Sequence, residues 1–186
     1  MNIIKTDISD VIIIKPQIFE DERGCFFESW NKKKLEEAGL NQLTEVVQWN
    51  QSESKKGVLR GLHFQKPPYS QGKLVRVVKG RVLDVAVDLR KESESYGKYV
   101  SVELSDKNKL SLWIPKGFAH GFLSLEENSI FLYGVTGSGW NKEAESGILW
   151  DDPDLNIDWK LKENNIKPIL NEKDKQLSRF KDISCF

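Results

Sequence analysis

Histidine and cysteine are scarce in this chain: two of each in 186 residues, namely His63, His120, Cys25 and Cys185. Two histidines without a His-x-His pair cannot supply the imidazole set of a β-barrel metal centre, which leaves at most a mixed His/Asp site. The cysteines stand near opposite ends with no pairing or ligand spacing, the pattern of reduced thiols in a cytoplasmic protein. No apolar run exceeds about five residues, which argues against a membrane-spanning helix and a signal-peptide core. A surplus of one charge is missing too. The 28 basic and 28 acidic residues cancel, so no net basic field invites nucleic acid or a membrane surface. The chain also lacks a glycine-rich phosphate loop, a Gly-x-Ser-x-Gly elbow, an internal repeat and a low-complexity linker.

What is present is period-two alternation over a length that suits one domain, residues 1–186. It predicts strands over Val11–Ile14, Cys25–Glu28, Glu45–Gln48, Val58–Phe64 and Lys73–Val78. Further strands are predicted over Arg81–Leu89, Tyr99–Leu104, Leu110–Ile114, Gly121–Leu125 and Ile130–Tyr133. Lys79-Gly80 reads as a tight hairpin turn, and one short helix is expected over Lys32–Ala38, stopped by Gly39. Many short strands with Gly, Pro and Asn punctuation imply an all-β jelly-roll sandwich or barrel. The polar, lysine-rich tail after Trp159 is expected to wrap the sheet as irregular turns and short helix.

Few residue types remain to carry chemistry. In Arg81–Leu89 one face is Leu83, Val85, Val87 and Leu89; the other holds Asp84 and Asp88 among small apolar residues. Asp84 is placed in a cup as a site candidate, whereas Asp88, near the strand end, reads as a turn residue. Arg60 and His63 lie three apart, so a flat strand points them to opposite faces; they share a pocket only if Gly61 admits a bulge. Each taken alone has an ordinary alternative, Arg60 as a surface cation and His63 as a core imidazole. His120 follows Pro115 and Gly117 in a tight turn leading to a strand mouth. A carboxylate beside either imidazole would orient it for general-base work. Tyr133 ends an apolar strand, and Trp49 between Gln48 and Asn50 looks like a stacking platform for a flat ring.

Seven segments in order resemble the dTDP-4-dehydrorhamnose 3,5-epimerase family, and together they span most of the chain. They are Phe19–Glu28, Gly57–Gln65, Gln71–Val77, Asp84–Arg90, Leu112–Phe122, Ile148–Pro153 and Glu172–Asp174. The resemblance implies a cupin-like jelly-roll homodimer that needs no metal or other cofactor and acts on a nucleotide-diphosphate sugar. It implies His63 as proton-abstracting base, Asp174 as its paired carboxylate and Tyr133 as acid on the opposite sugar face. Substrate-contacting positions are then Arg23, Glu28, Gln48, Asn50, Arg60, Lys73, His120, Glu145 and Lys173, with the Arg23–Glu28 segment reaching the neighbouring subunit's site. The chemistry is coherent: a C4 ketone acidifies C3 and C5, and Lys73 suits the enolate oxyanion that results. The chain departs from the family pattern at Trp49, in place of an acidic residue, and at Gly137–Trp140, in place of paired tyrosines. Asn171 replaces the usual serine before Glu172-Lys-Asp174. The expected activity is therefore 3,5-epimerisation of a dTDP-linked 4-keto-6-deoxy sugar. The alternatives are inversion at C3 alone, another nucleotide or a heptose, a non-catalytic sugar-nucleotide binder, and a metal-dependent barrel enzyme.

Overall fold

The computed structural model describes residues 1–183 and 186; Cys185, expected as a reduced thiol, lies outside the described residues. The strands in chain order are β1 (Asn2–Lys5), β2 (Ile12–Lys15), β3 (Ile18–Asp21), β4 (Gly24–Phe27) and β5 (Val46–Ser54). There follow β6 (Leu59–Gln65), β7 (Lys73–Lys79), β8 (Arg81–Asp88) and β9 (Tyr99–Ser105). The series ends with β10 (Ser111–Ile114), β11 (Phe118–Ser124), β12 (Ser129–Thr136) and β13 (Glu145–Gly147). Two antiparallel sheets form the sandwich, one in the order β1-β2-β10-β7-β12-β5 and the other β13-β6-β11-β8-β9. A separate hairpin pairs β3 with β4. The fold is the expected all-β sandwich with one short helix, α1 (Lys32–Glu37), whose N-terminus is capped by the Asn31 side chain accepting from the Lys34 amide.

Alternation along β8 decides how the layers stack. Val82 and Ala86 point between the sheets, joining Val75, Val77, Leu112, Phe122 and Phe131 in the inner core. Leu83, Val85, Val87 and Leu89 point the other way and are buried as well, under the C-terminal segment that brings Ile148, Leu155 and Trp159. The polar tail thus covers the second sheet's outer face, and its described residues form turns and two short 3-10 helices, Asp174–Gln176 and Phe180–Asp182. Among the described residues no helix is long and apolar enough to cross a membrane.

Some boundaries differ from those expected, each for a physical reason. β5 runs nine residues instead of four, because its inward positions Gln48, Asn50 and Ser52 are polar and break the apolar alternation while lining a cavity. β11 starts at Phe118, so His120 sits within a fully buried strand and not at its mouth. β1, β3 and β13 are short, and their apolar residues bury little, which left them without a readable pattern.

Candidate active site

Two adjoining cavities of about 140 and 340 Å³ open between the sheets and share Asn50, His63, Lys73 and Tyr133 in their walls. Backbone register explains the convergence. On β7, Lys73 shares its inward parity with Val75 and Val77, and on β12 Tyr133 shares it with Phe131 and Val135. From the opposite sheet, β11 sets His120 directly across from His63 of β6 and Phe122 across from Arg60. Two residues of β6, Gly61 and Leu62, therefore face the single Gly121, a bulge that brings Arg60 and His63 to one wall. Gly61 adopts φ +122°, and a Cβ there would stand 2.6 Å from Gly121 Cα. This is the condition the three-residue spacing required.

His63 Nε2 lies 2.7 Å from Asp174 Oδ1, while Asp174 Oδ2 accepts the Gly61 amide at 3.2 Å. The carboxylate thus ties the imidazole to the bulge that aims it, and the bond at Nε2 leaves Nδ1 as the nitrogen with a free lone pair. Burial pushes the buried Asp174 carboxyl up, but the bonds from His63 and Gly61 outweigh it and hold it below its ordinary range. Asn171, at the position of the family's serine, accepts the Asp174 amide at 2.6 Å and seats the carboxylate. Across the cavity, burial raises the Tyr133 hydroxyl above its usual range, so it carries its proton at neutral pH. Burial also pushes the Lys73 ammonium down to about 8, against the pull of Asp84 and Glu145. An apolar floor closes this end, with Phe122 and Phe131 stacked at 4.2 Å between ring centroids.

The remaining expected residues divide into two groups. Gln48, Asn50, Arg60, His120 and Glu145 line the cavities, and Lys173 reaches Glu145 as an ion pair at 2.7 Å. Three others lie elsewhere. Trp49 follows the alternation of β5 to the outer face, where it borders a hollow with Trp30, Arg76 and Leu132; it faces away from the cavity walls. Arg23 and Glu28 sit on and just after the exposed β3–β4 hairpin, bonded to Asp21 and to Lys34 and Asn31 respectively. Asp88 holds the turn after β8 by accepting from Arg90, Ser93 and Ser95, and Asp84 pairs with His120.

The flat ring at the cavity wall is Trp140, which the sequence marks only as part of a divergent loop. Its amide donates to Gln48 Oε1 at 3.3 Å, the Gly139 carbonyl accepts from Gln71, and the Asn141 amide donates to Gln65 Oε1 at 2.8 Å. The glycines permit the turn and three glutamines hold it. The readable signal was a tryptophan between glycine and asparagine, where no alternation calls for core. Among the described residues, no three His, Cys, Asp or Glu side chains group so as to hold a metal ion.

A jelly-roll sandwich whose central cavity opposes a carboxylate-held imidazole and a protonated phenol, with an ammonium in the same wall lining, defines an acid–base enzyme. The chain belongs to the dTDP-4-dehydrorhamnose 3,5-epimerase family, whose family model matches residues 5–182. The dTDP-4-dehydrorhamnose 3,5-epimerase of Shigella flexneri is 52% identical over 186 residues, covering 100% of this chain and 99% of that protein. The dTDP-6-deoxy-D-glucose-3,5-epimerase of Legionella pneumophila, solved in complex with dTDP-4-keto-L-rhamnose, superposes with a TM-score of 0.90. It is 47% identical, with 98% of this chain and 94% of that one covered. A 3'-monoepimerase from Streptomyces bikiniensis, solved with dTDP-quinovose, gives a TM-score of 0.87 at 28% identity, covering 95% and 87%.

Proposed function

We propose that this protein is a dTDP-4-dehydrorhamnose 3,5-epimerase, converting dTDP-4-dehydro-6-deoxy-D-glucose to dTDP-4-dehydro-L-rhamnose. The observation that carries the reading is the His63–Asp174 pair at 2.7 Å lining one cavity with Lys73 and Tyr133. His63 Nδ1 takes the proton from the carbon beside the C4 ketone, and the electron pair moves onto O4 as an enolate. The Lys73 ammonium stabilises that oxygen in the enclosed site. The Tyr133 hydroxyl then delivers a proton to the opposite face of the same carbon, and both side chains recover their starting states by exchange with water. The same cycle at the second carbon completes the double inversion. Arg60, Gln48, Asn50, His120, Glu145 and Lys173 serve as substrate contacts, and Trp140, not Trp49, is the ring available beside them.

The finer parts of the reading have their own support. One domain over 1–186 is supported by the C-terminal segment packing on the second sheet's outer face. Homodimerisation with shared sites is supported by the hairpin carrying Arg23, which stands outside the cavity of its own chain and exposes Phe19 and Phe26. A reducing, cytoplasmic setting suits the exposed, unbridged Cys25.

Inversion at C3 alone is the second reading, favoured by the structural likeness to a 3'-monoepimerase. The much higher identity to 3,5-epimerases, 52% against 28%, decides for double inversion. Incubation with dTDP-4-dehydro-6-deoxy-D-glucose in D2O followed by NMR tests both. Deuterium at C3 and C5 is expected; deuterium at C3 alone selects the second reading, and exchange at neither carbon overturns the epimerase assignment.

A further inference from the structure

Asp84 is a fully buried carboxylate to which the proton-transfer cycle assigns no task. It lies on the inward row of β8 between Val82 and Ala86, in a stripe that is otherwise core. Its two oxygens share one donor, His120 Nε2, at 3.1 and 2.9 Å. Removing a carboxylate from water costs several kcal/mol unless charge and hydrogen bonds compensate. A single ring N–H is thin compensation, and an apolar residue at this position would pack the core at no such cost. Across the sandwich Lys73 presents an ammonium from β7 to the cavity that His120 also lines, and Asp84 pulls on its proton through space.

We propose that Asp84 is a positioning residue for the reaction: it holds Lys73 in its charged form and fixes the His120 ring as the Nε2–H tautomer. The charge state of the pair is what makes this work. Burial pushes His120 below the ordinary imidazole range, against the pull of Asp84. A neutral His120 ring leaves the pull of Asp84 on the Lys73 proton uncancelled, as an imidazolium would not. Five further titratable groups line the cavities around Lys73: Arg60 and His63 of β6, Tyr133 of β12, Glu145 of β13 and, behind His63, Asp174. Asp174 is engaged with His63 and Gly61, and Glu145 is matched by Lys173 at 2.7 Å. Asp84, behind His120, has that ring nitrogen alone as its hydrogen-bond partner among the described residues.

Lys73 must be protonated to stabilise an enolate, and the ammonium is lost as pH rises through about 8. Removing a counter-charge lowers that midpoint further. Asp84→Asn keeps an oxygen to accept the His120 Nε2–H and deletes only the charge. Competitive labelling with trace acetic anhydride, read by mass spectrometry of the peptide bearing Lys73, reports amine protonation with no substrate present. The Lys73 midpoint is expected to fall by roughly one unit in Asp84→Asn and by less than about half a unit in Glu145→Gln. An unchanged midpoint in Asp84→Asn overturns the proposal. So does a fall of a full unit in Glu145→Gln, which hands the role to Glu145 and can be read even if Asp84→Asn does not fold.

The kinetic arm rests on the epimerase reading. The alkaline limb of kcat should move to lower pH in Asp84→Asn by the same amount, and the shift should vanish in a Lys73→Arg background. A limb that stays in place counts against the proposal. Absence of turnover in the wild-type protein sinks the epimerase reading and leaves the labelling result standing.

Discussion

His63 and Tyr133 differ in what their loss should do, because in the proposed cycle one takes a proton from carbon and the other returns one. His63→Ala removes the base and the group that Asp174 orients. Carbon–hydrogen exchange should become undetectable, while affinity for the substrate stays within roughly tenfold, since the lost interaction belongs to the transition state. Tyr133→Phe deletes one hydroxyl from a ring that packs on the inner core, so folding should be unaffected. Exchange at the first carbon should persist more than net inversion, because abstraction precedes reprotonation. Isothermal titration with dTDP and D2O exchange by NMR check both. A His63→Ala protein with a near-normal exchange rate would mean that the base is another group.

The bulge between β6 and β11 and the turn after β8 are local devices with separable effects. Gly61→Ala would set a Cβ 2.6 Å from Gly121 Cα and 2.8 Å from the His120 carbonyl oxygen, at a φ of +122° that side chains rarely adopt. Neither obstacle is the end of a flexible side chain, so the strands must separate. The expected outcome is a lowered melting temperature together with a lower kcat, because the Gly61 amide also anchors Asp174. Normal turnover in Gly61→Ala would show that the bulge does not aim His63. Asp88 acts on stability alone. Burial pushes its carboxyl up, yet bonds from Arg90, Ser95 and Ser93 prevail and hold it at about 2. Its stabilising contribution is complete above the unfolded carboxyl range near about 4 and is lost as pH falls towards 2. Asp88→Asn should therefore lower the melting temperature at neutral pH and flatten its decline across that acid window, with epimerase turnover intact. Parallel decline in both proteins would remove Asp88 from the account.

Whole-molecule behaviour turns on the β3–β4 hairpin. Within one chain Arg23 reaches only Asp21, and its side chain is 85% exposed. If the hairpin completes a neighbour's site, two individually inactive subunits should complement each other. A mixed dimer of Arg23→Ala and His63→Ala chains carries one site with both lesions and one with neither. Co-expression of the two should restore turnover that is absent from each homodimer, and sedimentation should show a two-chain particle. No recovery in a verified mixed dimer would place Arg23 outside the site.

Local order is what the sequence settles. Alternation on β8 marks its two faces, Gly39 ends the helix, and the scarcity of histidine narrows the chemistry to groups that can be named. The family-like segments carry His63, Lys73 and Asp174, and Tyr133 stands outside them at the end of a legible strand. Alternation fails where inward positions must be polar, as at Gln48 and Asn50, so the length of β5 and the outward direction of Trp49 were not legible. Long-range register is likewise decided only when the strands pair: whether Gly61 bulges depends on Gly121, sixty residues later in the chain. The Asp84–His120 and His63–Asp174 pairs join residues 36 and 111 positions apart. Their meeting follows from packing two sheets around one cavity, a property that no short stretch of residues contains.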